Sequence, residues 1–481
     1  MLRRPHFLLI SGLILVGAVG SANSPKTDRK PRAAVTFAKS IAPIIFEHCS
    51  GCHHPGEAAP FSLLTYADVA KRAALIADVT QRRIMPPWKA GKADFKLGGD
   101  FSLSDSELAA IKDWVKAGKP EGSPADLPPA PKFSNGWKLG QPDIVAKMPK
   151  PYAVPADGPD IYRIFTVPLH LDHDVWIKAV DFRPSNRTVV HHCLLFYDTT
   201  GKARELDAHP GKPGFAGSFP IGVTDQRSLS TFMNSGSPLH RPTFGGLGVW
   251  AVGDDPVPMQ DGFAYFLPKG ADLIFSTHFH PSGKAESEQS SVGLYLTNEP
   301  PRQGYAGVLL PPMWGEESGL VIPAGSKATT LEDSFTLPVN ASLLSIWAHA
   351  HYLGKTFELT AILPDGTVKK GFNIPDWDFN WQASYNFEPI VQLPAGTKLI
   401  SKITYDNSAT NPRNPSNPPH KVIWGEQTVD EMGGLMLRLT AANDADLKTL
   451  QAAYFKHWME VVQAAMKRGQ LQSQGRASGG D

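Results

Sequence analysis

The spacing of apolar positions along the chain changes character twice. Residues 36–48 carry Phe37, Ile41, Ile44 and Ile45 at helical spacing, and residues 66–82 read as a second helix. Ser104-Asp105-Ser106-Glu107 then forms a capping box ahead of a third helix with Leu108, Ile111, Trp114 and Val115. Beyond residue 136 the pattern becomes short runs suited to strands, at 161–167, 176–182, 189–196, 273–279, 342–349, 398–405 and 434–439, bounded by clusters of Gly, Pro, Asn and Asp. That length of strand-rich chain predicts two β-sandwiches. Helical spacing returns at 445–468, opened by Asn443 and carrying Leu447, Leu450, Trp458, Val461 and Val462, and residues 470–481 are expected to be disordered.

The expected fold is therefore multidomain. An all-α unit at 34–122 is followed by a linker at 123–135, two all-β sandwiches of jelly-roll type at 136–297 and 298–442, and a C-terminal helix and tail at 443–481. Ahead of these, Arg3 and Arg4, the apolar stretch 7–20 and Gly20-Ser21-Ala22 read as a signal peptide spanning 1–22. Its apolar run is shorter than the roughly 20 residues a membrane span requires. The mature chain is thus expected to be exported to the periplasm with no membrane span. The 47 basic residues nearly balance the 46 acidic ones, so no electrostatic footprint for nucleic acid is present.

Of the three cysteines, two lie in Cys49-Ser50-Gly51-Cys52-His53, directly after the first helix. In such a motif both thiols form thioethers to haem vinyl groups and the adjacent His53 lies under the iron. A thiol redox pair or half a zinc site would not need that histidine, and no second Cys pair exists. Cys193 is left as a buried hydrophobe, and no disulfide framework is available. The order helix with Cys-x-x-Cys-His, helix, Met85-Pro86-Pro87, capped helix resembles class I cytochrome c across 34–122. The resemblance implies one covalent haem c with Met85 as distal ligand.

The remaining chemistry lies in histidine pairs. His278 and His280 are two apart, as are His349 and His351, so on a strand each pair shares a face and could chelate one metal. His191 and His192 are adjacent and would point to opposite faces of a regular strand, so joint binding requires a local twist or bulge.

Taken in order, Val190-His191-His192-Cys193, Thr277-His278-Phe279-His280, His349-Ala350-His351-Tyr352 and Asp430-Glu431-Met432 resemble the copper type II, ascorbate-dependent monooxygenases, the family of peptidylglycine alpha-hydroxylating and dopamine beta-hydroxylating enzymes. Asp406-Asn407-Ser408 and Trp424-Gly425 resemble its bacterial members more closely. The resemblance covers residues 136–440. It implies two separated copper ions: one held by His191, His192 and His278 that supplies electrons, and one held by His349, His351 and Met432 that activates O2, with ascorbate as an external reductant. His280 is not a ligand in this match, although the same-face argument keeps it in reserve. A soft thioether at Met432 favours Cu(I). The expected reaction is hydroxylation of a C–H bond in a small-molecule substrate, re-reduced through the haem unit, ascorbate or another donor.

Departures limit the match. Where the peptide hydroxylase carries a substrate-anchoring arginine, two residues before the His-x-His pair, this chain has Trp347, and Gly434 and Met436 replace an asparagine and a tyrosine. An apolar substrate is implied. A copper nitrite reductase fused to a cytochrome is disfavoured because Cys193 lacks a nearby His and Met at blue-copper spacing. A non-catalytic copper and haem electron relay remains the alternative.

Overall fold

The computed structural model describes residues 35–57, 59–133, 136–208, 211–217, 244–251, 256–260, 262–299, 301, 304–312, 320–425 and 427–477; the signal segment expected at 1–22 lies outside them. The chain is mostly β, in stacked antiparallel sheets, with helices at both ends.

At the N-terminal end, the Thr36 hydroxyl accepts from the Lys39 N–H and opens a π-helical turn, Phe37–Ile41, that runs into α1 (Ala42–His48). The second helix expected from the spacing is two, α2 (Tyr66–Lys71) and α3 (Ala73–Gln81). The break falls at Arg72, whose guanidinium folds back to the Asp68 carbonyl and over the Phe61 ring, so a side chain takes a carbonyl that a continuing helix would use. α4 (Asp105–Lys116) starts at the reciprocal Ser104–Glu107 capping box. These helices enclose one small core around Phe37, Ile45, Ile111 and Trp114.

The first β unit runs through β1 (Ile144–Lys147), β2 (Tyr152–Val154), β3 (Ile161–Pro168), β4 (Val175–Arg183), β5 (Val190–Asp198), a short α5 (Lys202–Asp207), β6 (Phe215–Ala216), β7 (Phe244–Ala251), β8 (Tyr265–Leu267), β9 (Asp272–Phe279), β10 (Glu286–Glu288) and β11 (Ser291–Thr297). Its two main sheets, in the orders β1-β11-β4-β8 and β6-β3-β9-β5-β7, close over a core that includes Phe182, Leu195 and Phe275.

The second contains β12 (Ala306–Leu310), β13 (Val321–Ile322), β14 (Thr329–Thr336), β15 (Ala341–Ala350), β16 (Gly354–Ile362), β17 (Val368–Ile374), β18 (Ser384–Leu393), β19 (Lys398–Tyr405), β20 (Val422–Ile423) and β21 (Gly433–Ala441). Sheets β12-β21-β15-β18 and β14-β19-β16-β17 sandwich Leu343, Phe357, Phe372 and Leu437.

The terminal helix α6 (Asp444–Ala477) passes the stop expected at 468, so residues 470–477 are helical where disorder was expected. No proline interrupts this stretch, and its Gln, Leu and Arg residues favour helix. Leu447, Leu450 and Tyr454 anchor α6 to the second core. The Tyr454 hydroxyl both donates to the Leu309 carbonyl and accepts from its N–H, satisfying groups on the edge strand β12. Among the described residues no helix is long and apolar enough to cross a membrane.

The helical unit touches both sandwiches: Glu57 pairs with Arg187 of the first at 3.5 Å, but its backbone hydrogen bonds run to the second. The Gly91, Asp94 and Gly98 N–H groups donate to the carbonyls of Asn373, Lys370 and Asn386, and the Glu388 N–H donates to Lys96 O. Leu97 pairs with Phe387, so residues 91–98 lace across the ends of β17 and β18. Trp88 packs edge-on to Tyr385 at 5.0 Å, and buried Lys89 pairs with Asp378 at 3.3 Å.

Candidate metal centres

On the first sandwich, β5 and β9 pair with His192 opposite His278, and the register slips between Val190 and His192. His191 is therefore the extra residue of a β-bulge, and the bulge brings two adjacent histidines to one side of the sheet. The Nδ1 atoms of His191 and His192 lie 3.0 Å apart, and those of His192 and His278 lie 3.4 Å apart. All three rings offer a nitrogen within 4.8 Å of the others. Imidazoles bound at about 2.0–2.1 Å to a tetrahedral ion have nitrogens about 3.3 Å apart, so the two separations at His192 suit a common ion and the cluster could hold one.

Asp160 sets the orientation. Its Oδ2 lies 3.2 Å from His278 Nε2 and its Oδ1 lies 2.7 Å from His280 Nδ1. With the His278 proton held on Nε2, Nδ1 turns its lone pair toward His192. Burial raises the Asp160 carboxyl, but its bonds with His278 and His280 outweigh this and hold it well below the usual carboxylate range. His280 is exposed and outside the cluster, so the same-face chelate of His278 and His280 is not formed. The strand ends at Phe279, and His280 is drawn to Asp160 instead.

On the second sandwich, His349 and His351 sit at the end of β15. The His349 Nδ1–H donates to Gln382 Oε1 at 2.5 Å and the His351 Nδ1–H donates to the Asp430 carbonyl at 3.2 Å. Nε2 is then the nitrogen through which each could bind a metal. β15 pairs with β21, setting His349 opposite Gly434 and Ala350 opposite Gly433; the pairing ends there, and the next residues on the two chains are His351 and Met432. Buried Glu431 fixes this corner: its carboxylate accepts from the backbone N–H of His351, Leu353 and Met432. Burial pushes that carboxyl up to about 8 although these N–H groups favour its charged form. Gly425 is required here, because a Cβ would overlap the Asp430 carboxylate, and at Gly433 a Cβ would overlap the Tyr405 hydroxyl that donates to Met432 O.

Phe379 joins the two clusters. Its ring stacks on His191 at 4.7 Å and meets His351 edge-on at 5.7 Å, and it is 4% exposed. Burial, the largest cause in each case, lowers the pKa of His191 and His351 to about 3 and of His349 to about 4, with His192 well below its ordinary value and His278 also lowered. Each is therefore neutral at pH 7, the form that ligates metals. Trp347 stacks on His349 at 5.4 Å and donates its indole N–H to Gln382 O.

Sequence reasoning missed Asp160, Phe379 and Gln382. Asp160 has a readable position only once β3 is paired with β9, Ile161 opposite Phe279. Phe379 and Gln382 belong to the irregular stretch between β17 and β18, which carries no periodic signal.

In the helical unit, the Cys52 and His53 N–H groups both donate to Cys49 O, coiling the motif into one turn. The His53 Nδ1–H donates to Phe61 O at 3.1 Å, which directs Nε2 to any iron. Met85 follows α3 on the loop that leads to Trp88 and Lys89; no hydrogen bond or ring contact among the described residues joins it to His53. Cys193 is fully buried in the first core and accepts from the Thr277 hydroxyl.

No family model matches the chain, and no curated protein matches it. Solved structures similar to it include the infectious bursal disease virus VP2 subviral particle, at 10% identity over 66% of this chain and 76% of that one, with a TM-score of 0.18. The Gx strain of the same virus gives 8% identity, the same coverage and a TM-score of 0.16. Likenesses this weak carry no argument about function.

Proposed function

We propose that the chain is a copper-dependent monooxygenase that hydroxylates a C–H bond of a small, largely apolar molecule with O2, its electrons arriving at least partly through a haem in the helical unit. The observation that carries this reading is the facing of two imidazole clusters across the sandwiches, with one ring, Phe379, touching both. Their donors suit copper: three imidazole nitrogens in one cluster, and two imidazoles beside a methionine in the other. Bound copper would supply one-electron redox and oxygen chemistry, and a haem on Cys49, Cys52 and His53 would supply a one-electron store.

The chain's own residues prepare the site. Asp160 and Gln382 hold His278 and His349 in the tautomers that ligate. Glu431 ties the His351 turn to Met432, fixing the backbone of both candidate donors. Phe379 and Trp347 cover imidazole faces and keep water from them. Lys89, four residues after Met85, pairs with Asp378 beside Phe379, so the helical unit meets the protein next to the residue shared by both clusters.

Copper-loaded protein reduced with ascorbate should hold two coppers per chain. Given small aromatic and aliphatic compounds, it should consume oxygen and release products heavier by one oxygen atom. Loading that stops at one copper, or oxygen uptake without an oxygenated product, overturns the reading; the second result would favour an electron relay.

A further inference from the structure

Between the two sandwiches, set back from the histidine clusters, lies a cavity of about 190 Å³. Phe182, Leu195 and Trp250 wall it on one side, and Leu344, Ser345 and Asn386 on the other. Arg438 of β21 lines it, its guanidinium 4.8 Å from the centre of the Tyr305 ring and 5.7 Å from that of Tyr265. The polar contacts of that group are the Met259 sulfur at 3.6 Å and the Tyr265 hydroxyl at 3.4 Å, and among the described residues no carboxylate pairs with it. A guanidinium stays charged at any physiological pH, and two ring faces and a thioether compensate a part-buried cation only in part. Its forked N–H groups fit a carboxylate.

The register connects this cavity to the second cluster. Ser345 pairs with Arg438, Trp347 with Met436 and His349 with Gly434. The intervening Ile346, Ala348, Leu435 and Leu437 point into the core, so Arg438, Met436, Trp347 and His349 share the opposite face of the sheet. Four residues of strand, about 13 Å, separate the rung of Arg438 from that of His349.

We propose that this cavity binds the carboxylate of an amphipathic organic acid, its anionic end on Arg438 and its apolar body directed over Met436 and Trp347 toward His349. That the acid is the substrate rests on the monooxygenase reading; the binding itself does not. The test titrates full-length protein, copper-loaded and copper-free, with phenylacetate, 4-phenylbutanoate and octanoate and with the amide of each, followed by calorimetry. At least one acid should bind both forms, with its amide weaker by about tenfold or more. Arg438→Gln should bring the acid down to the level of the amide, and Arg438→Lys should fall between. Equal binding of acid and amide, no binding of any acid, or an acid preference that survives Arg438→Gln overturns the inference, and the first two outcomes need no variant to fold. Copper is counted in the same samples: a chain that binds acid but loads no copper defeats the monooxygenase reading and leaves this site standing, whereas two coppers without acid binding does the reverse.

Discussion

Asp160→Asn separates the charge that orients the first histidine cluster from the shape around it. The carboxylate is 8% exposed and His278 is 1% exposed, so their 3.2 Å contact is shielded from solvent. Asn keeps an oxygen for the His278 Nε2–H but loses the negative charge, and with it the preference for a donor at that point. Loss of a carboxylate behind a metal-binding histidine typically lowers metal affinity about 10- to 100-fold, equivalent to about 1.4–2.8 kcal/mol. Cu(I) affinity at the His191, His192 and His278 centre should therefore fall by that factor. Anaerobic competition with bathocuproine disulfonate measures it, and the His349 and His351 centre serves as an internal reference. His280→Ala is the control: His280 also contacts Asp160, but it is 63% exposed, and its loss should cost less than about 1 kcal/mol. Equal affinities within twofold for Asp160→Asn and the parent, or a loss confined to the second centre, would refute the assignment of Asp160 as the orienting group.

Changing Cys49 and Cys52 together to Ala should leave no haem on the denatured chain; a surviving covalent haem stain would remove the helical unit from the proposed electron route. Met432→Ile should weaken Cu(I) binding and abolish turnover while sparing much of the Cu(II) binding that His349 and His351 support, read by electron paramagnetic resonance; full turnover would exclude the thioether as a ligand. Gly433→Ala must displace the Tyr405 hydroxyl, which lies in a fully buried side chain, and should destabilise the second sandwich by about 1–3 kcal/mol; an unchanged melting curve would show that β21 can shift to make room.

The strands and the capping box were legible because each follows from local chemistry. Alternating Leu435, Leu437 and Leu439 mark β21 as half-buried, and Ser104 with Glu107 marks the start of α4. The bulge at His191 was legible as a requirement, since two adjacent side chains cannot otherwise share a face, and the register slip meets that requirement. The break at Arg72 was not, because it depends on a guanidinium finding Phe61 and a carbonyl rather than on helix propensity. Asp160 and His280 show the same limit: spacing puts His280 on the face of His278, yet a carboxylate more than a hundred residues earlier draws it out of the cluster. Arg438 has no local signature, since its setting depends on Tyr265 and Tyr305 arriving from other strands.

The lacing of residues 91–98 onto β17 and β18 gives the chain a mechanical division that its sequence order conceals. Although the linker at 123–135 leads into the first sandwich, the backbone hydrogen bonds tie the helical unit to the second. A hinge between the sandwiches that kept this lacing would carry the helices along with β15 and His349, and would have to break the ion pair of Glu57 with Arg187 on the first sandwich. Exchanging the helical unit for another carrier is then not a matter of cutting at the linker: the receiving edge, Asn373, Asn386 and Phe387 with their strands, has to travel with it, or the graft will hang free from the wrong half of the molecule.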